Sequence, residues 1–271
     1  MDLTQAMDRG LVLLGCGKMG SAMLAGWLAR GLDPKLVWVI DPKPSDWVLS
    51  QGVRVNETLP AAPAIVLVAV KPQMMGDALP TLQAFGNAQT AFLSIAAGTP
   101  ISKFAQVLGE NTPIIRAMPN TPAAVGKGIT AMIANDLVSE ATMDVAHELL
   151  SAIGLVVRLQ TEGQMDAVTG VSGSGPAYVF YMIDALAAAG RAQGLPDDLA
   201  MALAKATVAG AGALAEQSDE SPEQLRINVT SPNGTTQAGL EVLMNAGQGL
   251  MPLIAGTVAA ATERSKELAN G

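Results

Sequence analysis

In the first part of the chain, apolar residues come in short unbroken runs punctuated by small or polar ones. Leu11–Leu14, Leu36–Ile40, Ala64–Val70, Thr90–Ile95 and Thr112–Ala117 are five such runs. Ala64–Val70 (AIVLVAV) is apolar on both alternating faces, as a strand buried on both sides must be. Between most of the runs, apolar positions recur at helical spacing, beginning with Met19–Arg30. This alternation predicts an α/β fold, a doubly wound sheet of parallel strands with helices on its faces. From Gln164 onward the pattern changes. No strand is evident there, and Tyr178–Gln193, Pro196–Glu216, Thr235–Asn245 and Leu250–Leu268 all read as helices whose Ala-rich faces suit close packing. Two domains are expected, residues 1–165 and 166–271, the second all-α.

Composition narrows the function. A length of 271 residues, 49% of them apolar, supplies a core for two domains. The 45 alanines and 28 glycines let backbones approach closely. The net charge is −8 and aromatics are only 3%, so a general nucleic-acid binder, basic and rich in stacking rings, is excluded. Residues 1–165 carry 13 acids and 11 bases, while 166–271 carry 11 and 5, so the near-neutral first part is the better host for an anionic cofactor. The single Cys16 rules out an internal disulfide and fits a reducing compartment; with only one histidine, no zinc site is recognisable. The opening MDLTQAMDRG lacks the basic start and apolar stretch of an export signal. The uncharged run 242–262 contains Asn245, Gln248, Pro252 and three glycines, which suits a buried helix pair better than a membrane span. A soluble cytoplasmic protein is expected, with no membrane or nucleic-acid partner.

The first chemical motif is Gly15-Cys16-Gly17-Lys18-Met19-Gly20, between a predicted strand and a predicted helix. In that context the glycines of GxGxxG have separate tasks. Gly15 allows a tight turn, Gly17 lets a pyrophosphate approach the backbone, and Gly20 lets helix and strand pack closely. The phosphates then lie on free N–H groups at the positive end of the helix. Asp41 closes the second strand, where an acid binds a ribose 2′-hydroxyl and disfavours a 2′-phosphate, pointing to NAD over NADP. Lys35 and Lys43 soften that preference, and a solvated turn in DPKP is the competing reading. Cys16 is expected to be a small filler, and His147, beside Glu148 on a polar-faced helix, a surface residue. The usual general acid is therefore missing.

Four further segments carry a resemblance: Ala69-Val70-Lys71-Pro72, Arg116-Ala-Met-Pro119-Asn120-Thr-Pro122, Ser172-Gly-Ser174-Gly175-Pro176-Ala-Tyr178, and Thr230-Ser231-Pro-Asn233-Gly234-Thr235-Thr236-Gln-Ala-Gly239-Leu240. With the glycine loop, in this order and spacing from about Leu11 to about Leu268, the chain resembles the pyrroline-5-carboxylate reductases. The resemblance implies reduction of the imine of 1-pyrroline-5-carboxylate to L-proline with NADPH or NADH. It also implies an N-terminal Rossmann domain and a C-terminal helical domain that interlocks two subunits, often within decamers. Each active site would then use the Rossmann domain of one subunit and helices of its partner.

Candidate roles follow residue by residue. Lys71 and Pro72 end the third strand at the edge where ligands bind in doubly wound sheets; Lys71 is a candidate for cofactor phosphate or ribose, or a solvated strand end. Met19 and Lys18 belong to the phosphate loop, and Ala69, Val70, Ala97 and Gly98 to strand ends that bring backbone close to the cofactor. Asn56 matches a family asparagine near cofactor and substrate, although it could equally be a turn residue. Asn120 is expected on the nicotinamide side or as a structural turn. Ser174 and Gly175 lie where small residues admit the nicotinamide and also form a hinge. Ser231, Asn233, Gly234, Thr235 and Thr236 precede a predicted helix and would cradle the substrate carboxylate through N–H groups and hydroxyls, an ordinary helix-capping turn being the alternative. Thr236 is the candidate proton donor to the ring nitrogen, or else a positioning group with solvent supplying the proton. Asn233 stands where the family often has glycine, and asparagine tolerates the left-handed geometry. Ile227 stands where the family often has an acid. Other two-domain reductases of 2-oxo or 3-hydroxy acids need a catalytic lysine in the second domain, where only Lys205 and Lys266 occur. A non-enzymatic dinucleotide-binding protein would have no need of the Ser231–Thr236 cradle.

Overall fold

A computed structural model describes residues 3–87 and 89–270. The chain divides into two compact units. One comprises the residues up to Gly173 together with those from Ala261 onward; the other is Ser174–Ala260.

The first unit is built on an eight-stranded sheet: β1 (Leu11–Leu14), β2 (Val37–Ile40), β3 (Arg54–Val55), β4 (Ile65–Val68), β5 (Ala91–Ser94), β6 (Ile114–Met118), β7 (Gly128–Ala134) and β8 (Gly154–Arg158). The spatial order is β3-β2-β1-β4-β5-β6-β7-β8. The first six strands are parallel in the order 3-2-1-4-5-6, the doubly wound arrangement that binds dinucleotides. All five predicted strands are present. Three others escape the hydrophobic pattern for physical reasons. β3 has two residues, β7 (GITAMIA) mixes glycine, alanine and threonine with its apolar positions, and β8 lies at the sheet edge with Leu155 and Val157 exposed. β7 runs antiparallel to β6, and β8 parallel to β7.

The helices of this unit are α1 (Leu3–Ala6), α2 (Lys18–Ala29), α3 (Asp46–Ser50), α4 (Met75–Ala78), α5 (Ile101–Leu108), α6 (Glu140–Ser151) and α7 (Gln164–Val168). Strand alternation sorts the core into two layers. Leu11, Leu13, Val39, Ile65 and Leu67 face α2 and α6, meeting Met23, Leu24, Trp27, Ala146, Leu149 and Leu150. Val12, Leu14, Val66, Val68 and Phe92 point the other way, against Leu79, Leu82, Phe104 and Leu108. Burying a side chain such as Leu or Phe is worth about 1.5–3 kcal/mol, so these two layers supply most of what holds the sheet. Trp27 is fully buried, and its indole N–H donates to the Leu149 carbonyl at 2.8 Å, which pins α2 to α6. Arg116 on β6 is buried as well. Its guanidinium pairs with Glu162 at 2.8 Å, and the same carboxylate oxygen accepts the Ile101 N–H at 2.9 Å at the start of α5.

The second unit is helical: α8 (Gly175–Ala192), α9 (Asp197–Gln217), α10 (Pro222–Asn228), α11 (Thr235–Leu243) and the first part of α12 (Leu250–Asn270). Helix α10 was not expected; Ser221 caps it, its hydroxyl accepting the Gln224 N–H at 3.2 Å, and Pro222 opens it. Helices α8 and α9 pack together, and of their side chains only Ala187, Ala200 and Ala204 are buried. Phe180, Tyr181, Leu199, Leu203, Leu214, Met251 and Leu253 are exposed. The run 242–262 is a helix pair, the end of α11 and the start of α12, but most of its apolar side chains are exposed in the single chain and none is buried. By length and composition alone, Asp197–Gln217 is long and apolar enough to cross a membrane.

Candidate functional site

The glycine loop joins β1 to α2, and its three glycines meet three different surroundings. Gly15 has φ +86° and its N–H donates to the Ile40 carbonyl at 2.8 Å; an added Cβ there would lie 3.0 Å from the Ala69 carbonyl oxygen. At Gly20 a Cβ would lie 2.7 Å from the Gly15 carbonyl oxygen, so only glycine lets α2 sit this close to the loop. At Gly17 a Cβ would meet nothing within 4 Å, because this residue faces open space. Gly17 also N-caps α2 without any side-chain partner. The N–H groups of Lys18, Met19 and Gly20 form the first turn and have no acceptor within the helix.

Asp41 follows β2 and reaches across to this loop. Its Oδ2 accepts the Cys16 N–H at 2.8 Å and its Oδ1 accepts the Lys43 N–H at 2.8 Å. Asn56 follows β3 in the left-handed region, with φ 55°. Its Oδ1 accepts the Asp41 N–H at 3.1 Å, and its Nδ2 donates to the Asp41 carbonyl at 2.8 Å. Lys35 lies in the turn Pro34–Leu36 ahead of β2, whereas Asp41 lies beyond it. A four-residue strand, about 13 Å long, separates them, so of the two lysines expected beside Asp41 only Lys43 is there. Cys16 is buried, with Sγ 3.6 Å from the Ser21 hydroxyl, which itself donates to the Cys16 carbonyl at 2.9 Å. Burial pushes the thiol pKa up, the Ser21 hydrogen bond partly opposes this, and the Asp41 charge adds to it.

Other expected cofactor residues lie at the carboxyl ends of the central strands. Ala69 follows β4 and its N–H donates to the Leu14 carbonyl at 2.8 Å; Val70 is half-buried beside it, and Lys71 is exposed ahead of the turn Pro72–Met74. Ala97 and Gly98 follow β5; Gly98 has φ +68°, and a Cβ there would lie 3.4 Å from Leu268 Cβ. Asn120 is engaged by the protein itself: its Oδ1 accepts the Ile129 N–H at 2.9 Å and its Nδ2 donates to the Ser172 carbonyl at 3.1 Å. Those bonds fix the turn from β6 to β7 against the wide π-helical turn Thr169–Gly173. His147 is half-buried on α6, outside this region.

In the second unit, Ser231–Gly234 forms a tight turn, and Thr235 and Thr236 begin α11. Gly234 N–H donates to the Ser231 carbonyl at 3.1 Å, and Asn233 has φ 59°, the left-handed geometry for which asparagine substitutes here. Gln237 Oε1 reaches back to accept the Asn233 N–H at 2.8 Å. Gly234 N-caps α11 without a side-chain bond, so the hydroxyls of Ser231, Thr235 and Thr236 are not spent on capping. These three residues are exposed. Spacing alone did not point to Gln237. Beside the turn, α10 and α11 frame an open groove lined by Arg226, Thr230, Gln237, Leu240, Glu241 and Met244. Ser174 caps α8 through its backbone position only, and Gly175 starts that helix.

A family model described as pyrroline-5-carboxylate reductase dimerisation matches residues 162–268. A second, described as NADP oxidoreductase, coenzyme F420-dependent, matches residues 11–98. The chain is 41% identical over 269 residues to a pyrroline-5-carboxylate reductase of Synechocystis sp., covering 97% of this chain and 99% of the relative. Among solved structures, a pyrroline-5-carboxylate reductase of Coxiella burnetii superposes with a TM-score of 0.89 at 32% identity, covering 96% of this chain and 98% of the other. A Plasmodium falciparum pyrroline carboxylate reductase with NADP bound gives 0.82 at 28%, covering 97% and 99%.

Proposed function

The chain belongs to the pyrroline-5-carboxylate reductase family, and on that premise we propose that it reduces the C=N bond of 1-pyrroline-5-carboxylate to give L-proline, the last step of proline biosynthesis. A reduced nicotinamide dinucleotide supplies the hydride when bound. The imine carbon accepts that hydride, the C=N π pair moves to nitrogen, and the nitrogen takes a proton. An iminium is already electrophilic, so the protein's main tasks are alignment and exclusion of water.

The residues of the first unit fit such a cofactor. Gly17 leaves room for a pyrophosphate, the first-turn N–H groups of Lys18, Met19 and Gly20 would receive it, and Asp41 would accept ribose hydroxyls. Lys71, Pro72, Val70, Ala97 and Gly98 would border the same ligand from neighbouring strand ends. The bonds made by Asn120 favour a positioning role for it. The relative from P. falciparum holds NADP, whereas Asp41 favours NADH in this chain.

The observation that carries the substrate reading is the Ser231–Thr236 segment. It opens α11 with unspent hydroxyls and with the N–H groups of Thr235, Thr236 and Gln237 free of intrahelical acceptors, a receptor for a carboxylate. Thr236 would hold the ring nitrogen's proton donor in place or relay the proton itself. Residues from about 166 onward form the dimerisation region in this reading, interlocked with a second copy through the exposed apolar faces of α8, α9 and α12. Sedimentation tells a dimer from a decamer. A cytoplasmic location fits the single, unpaired Cys16. The test is oxidation of NADH or NADPH followed by absorbance on adding pyrroline-5-carboxylate. Turnover is expected, faster with NADH at limiting cofactor; none with either cofactor refutes the assignment.

A further inference from the structure

Four hydrogen bonds hold Asp41, two on its carboxylate and two on its backbone. Both carboxylate oxygens accept backbone N–H groups, one from the glycine loop at Cys16 and one from Lys43. Its own peptide is held from the other side by the Asn56 carboxamide, which pairs with both the N–H and the carbonyl of Asp41. The register explains how. β2 and β3 pair as Trp38 with Arg54 and Val39 with Val55, and the Asn56 N–H still donates to the Val39 carbonyl at 2.9 Å. There β3 ends, and the Asn56 chain turns into the left-handed region. The carboxamide then offers one acceptor and one donor, as a further strand peptide would. A side-chain rung therefore extends the ladder by one step beyond the last strand residue.

We propose that Asn56 is a positioning residue for cofactor discrimination: it fixes the Asp41 peptide so that the Asp41 carboxylate both ties down the glycine loop and presents its remaining lone pairs to the adenosine ribose. The proposal rests on the reading that the glycine loop holds the dinucleotide. An ionised carboxylate has about four acceptor positions. Two are taken by the Cys16 and Lys43 N–H groups, which leaves acceptors for a 2′- and a 3′-hydroxyl. A 2′-phosphate carries no hydroxyl hydrogen to donate there at neutral pH and adds like charge beside the carboxylate. Discrimination thus depends on where the carboxylate is held. That is set by a residue 15 positions along the chain, whose carboxamide is occupied by the Asp41 backbone.

Two substitutions isolate the effect. Asn56→Gly keeps the left-handed backbone and deletes the carboxamide; Asn56→Asp keeps the shape and deletes the donor to the Asp41 carbonyl. NADH and NADPH affinities are measured by fluorescence titration of the full chain. Hydrogen–deuterium exchange of residues 15–20 and 41–43 is followed without cofactor. For Asn56→Gly, NADH affinity should fall about tenfold, the loss expected of one hydrogen bond to a charged group, while NADPH affinity falls less. Exchange in both segments should accelerate while the core strands stay protected, and the KM for pyrroline-5-carboxylate should be unchanged. Asn56→Asp should accelerate exchange in the same segments, but its added charge also repels a 2′-phosphate, so the cofactor ratio is read from Asn56→Gly. An unaltered NADH to NADPH ratio with unaltered exchange at 15–20 would overturn the proposal, and so would a raised imine KM with cofactor affinity intact. Failure of the underlying cofactor reading looks different, because the unsubstituted chain would then bind neither dinucleotide.

Discussion

Replacing Gly17 by alanine separates folding from cofactor binding. In the free chain a Cβ at this position meets nothing within 4 Å, and the residue has φ −71° and ψ −160°, which alanine adopts without strain. Stability should therefore hold or rise by about 0.4–1 kcal/mol, because alanine restricts the unfolded chain more than glycine does. For a chain of this size that is a Tm rise of roughly 1–4 °C. The cofactor experiences the opposite. A methyl on Gly17 occupies the space through which the pyrophosphate must approach the first turn of α2. Losing two charge-assisted N–H···O contacts at about 1.5–3 kcal/mol each costs about 3–6 kcal/mol, or roughly 10²–10⁴ in Kd. Thermal melts and titration calorimetry with NADH and NADPH measure both effects on one preparation. An unchanged Tm with a Kd within threefold of the unsubstituted chain would refute the placement of the pyrophosphate at Gly17. A fallen Tm would show that the open space at this residue is misjudged.

Gly20→Ala should behave in the contrary way: its Cβ would press on the Gly15 carbonyl oxygen at 2.7 Å, so denaturant melts should register a loss of about 1–3 kcal/mol before any ligand is added. Thr236→Ala should lower kcat about tenfold or more while leaving the Kd for NADH unchanged, and an unchanged kcat removes Thr236 from the chemistry. Cys16 should alkylate slowly at neutral pH in the folded chain and quickly after denaturation, since burial raises its pKa; equal rates would contradict that burial. The same shift has a sign for stability. The folded thiol stays protonated where the unfolded one, near its ordinary 9.0, ionises, so this group's contribution is complete below that pH and declines as pH rises through the folded value.

The parts of the fold that could be read from the chain are those where burial repeats along it. Leu11–Leu14, Ile65–Val68 and Ala91–Ser94 are buried at every position, and continuous apolar runs announce them. β8 was invisible because a sheet edge does not need to bury both faces, and β3 because two residues carry no period. The steric surroundings of the three loop glycines were legible, since a positive φ, an open side and a close packing contact each suit the same residue for a different reason. The left-handed Asn233 followed from the resemblance, since the family often has glycine there and asparagine tolerates that geometry. What could not be read was anything that depends on two distant segments meeting. The pairing of Asn56 with the Asp41 peptide spans 15 residues, and Arg116 with Glu162 spans 46. No local pattern encodes either. Misplacing Lys35 beside Asp41 had the same origin: sequence proximity took no account of a strand pointing the two residues to opposite ends of the sheet.

The anchoring of Trp27 by the Leu149 carbonyl has a practical corollary. The chain's three tryptophans, Trp27, Trp38 and Trp47, all lie in the first unit, and the second has none. Trp27 is buried, Trp38 lies beneath the Arg54 guanidinium at 4.7 Å, and Trp47 is exposed. Indole emission is therefore a private signal of the dinucleotide-binding unit. Far-ultraviolet circular dichroism, by contrast, draws strongly on the long helices α8 and α9 of the second unit. Denaturation curves from the two probes will superimpose if the units melt as one and diverge if the helical unit comes apart first on dilution, so the cooperativity of the whole chain can be read without any label.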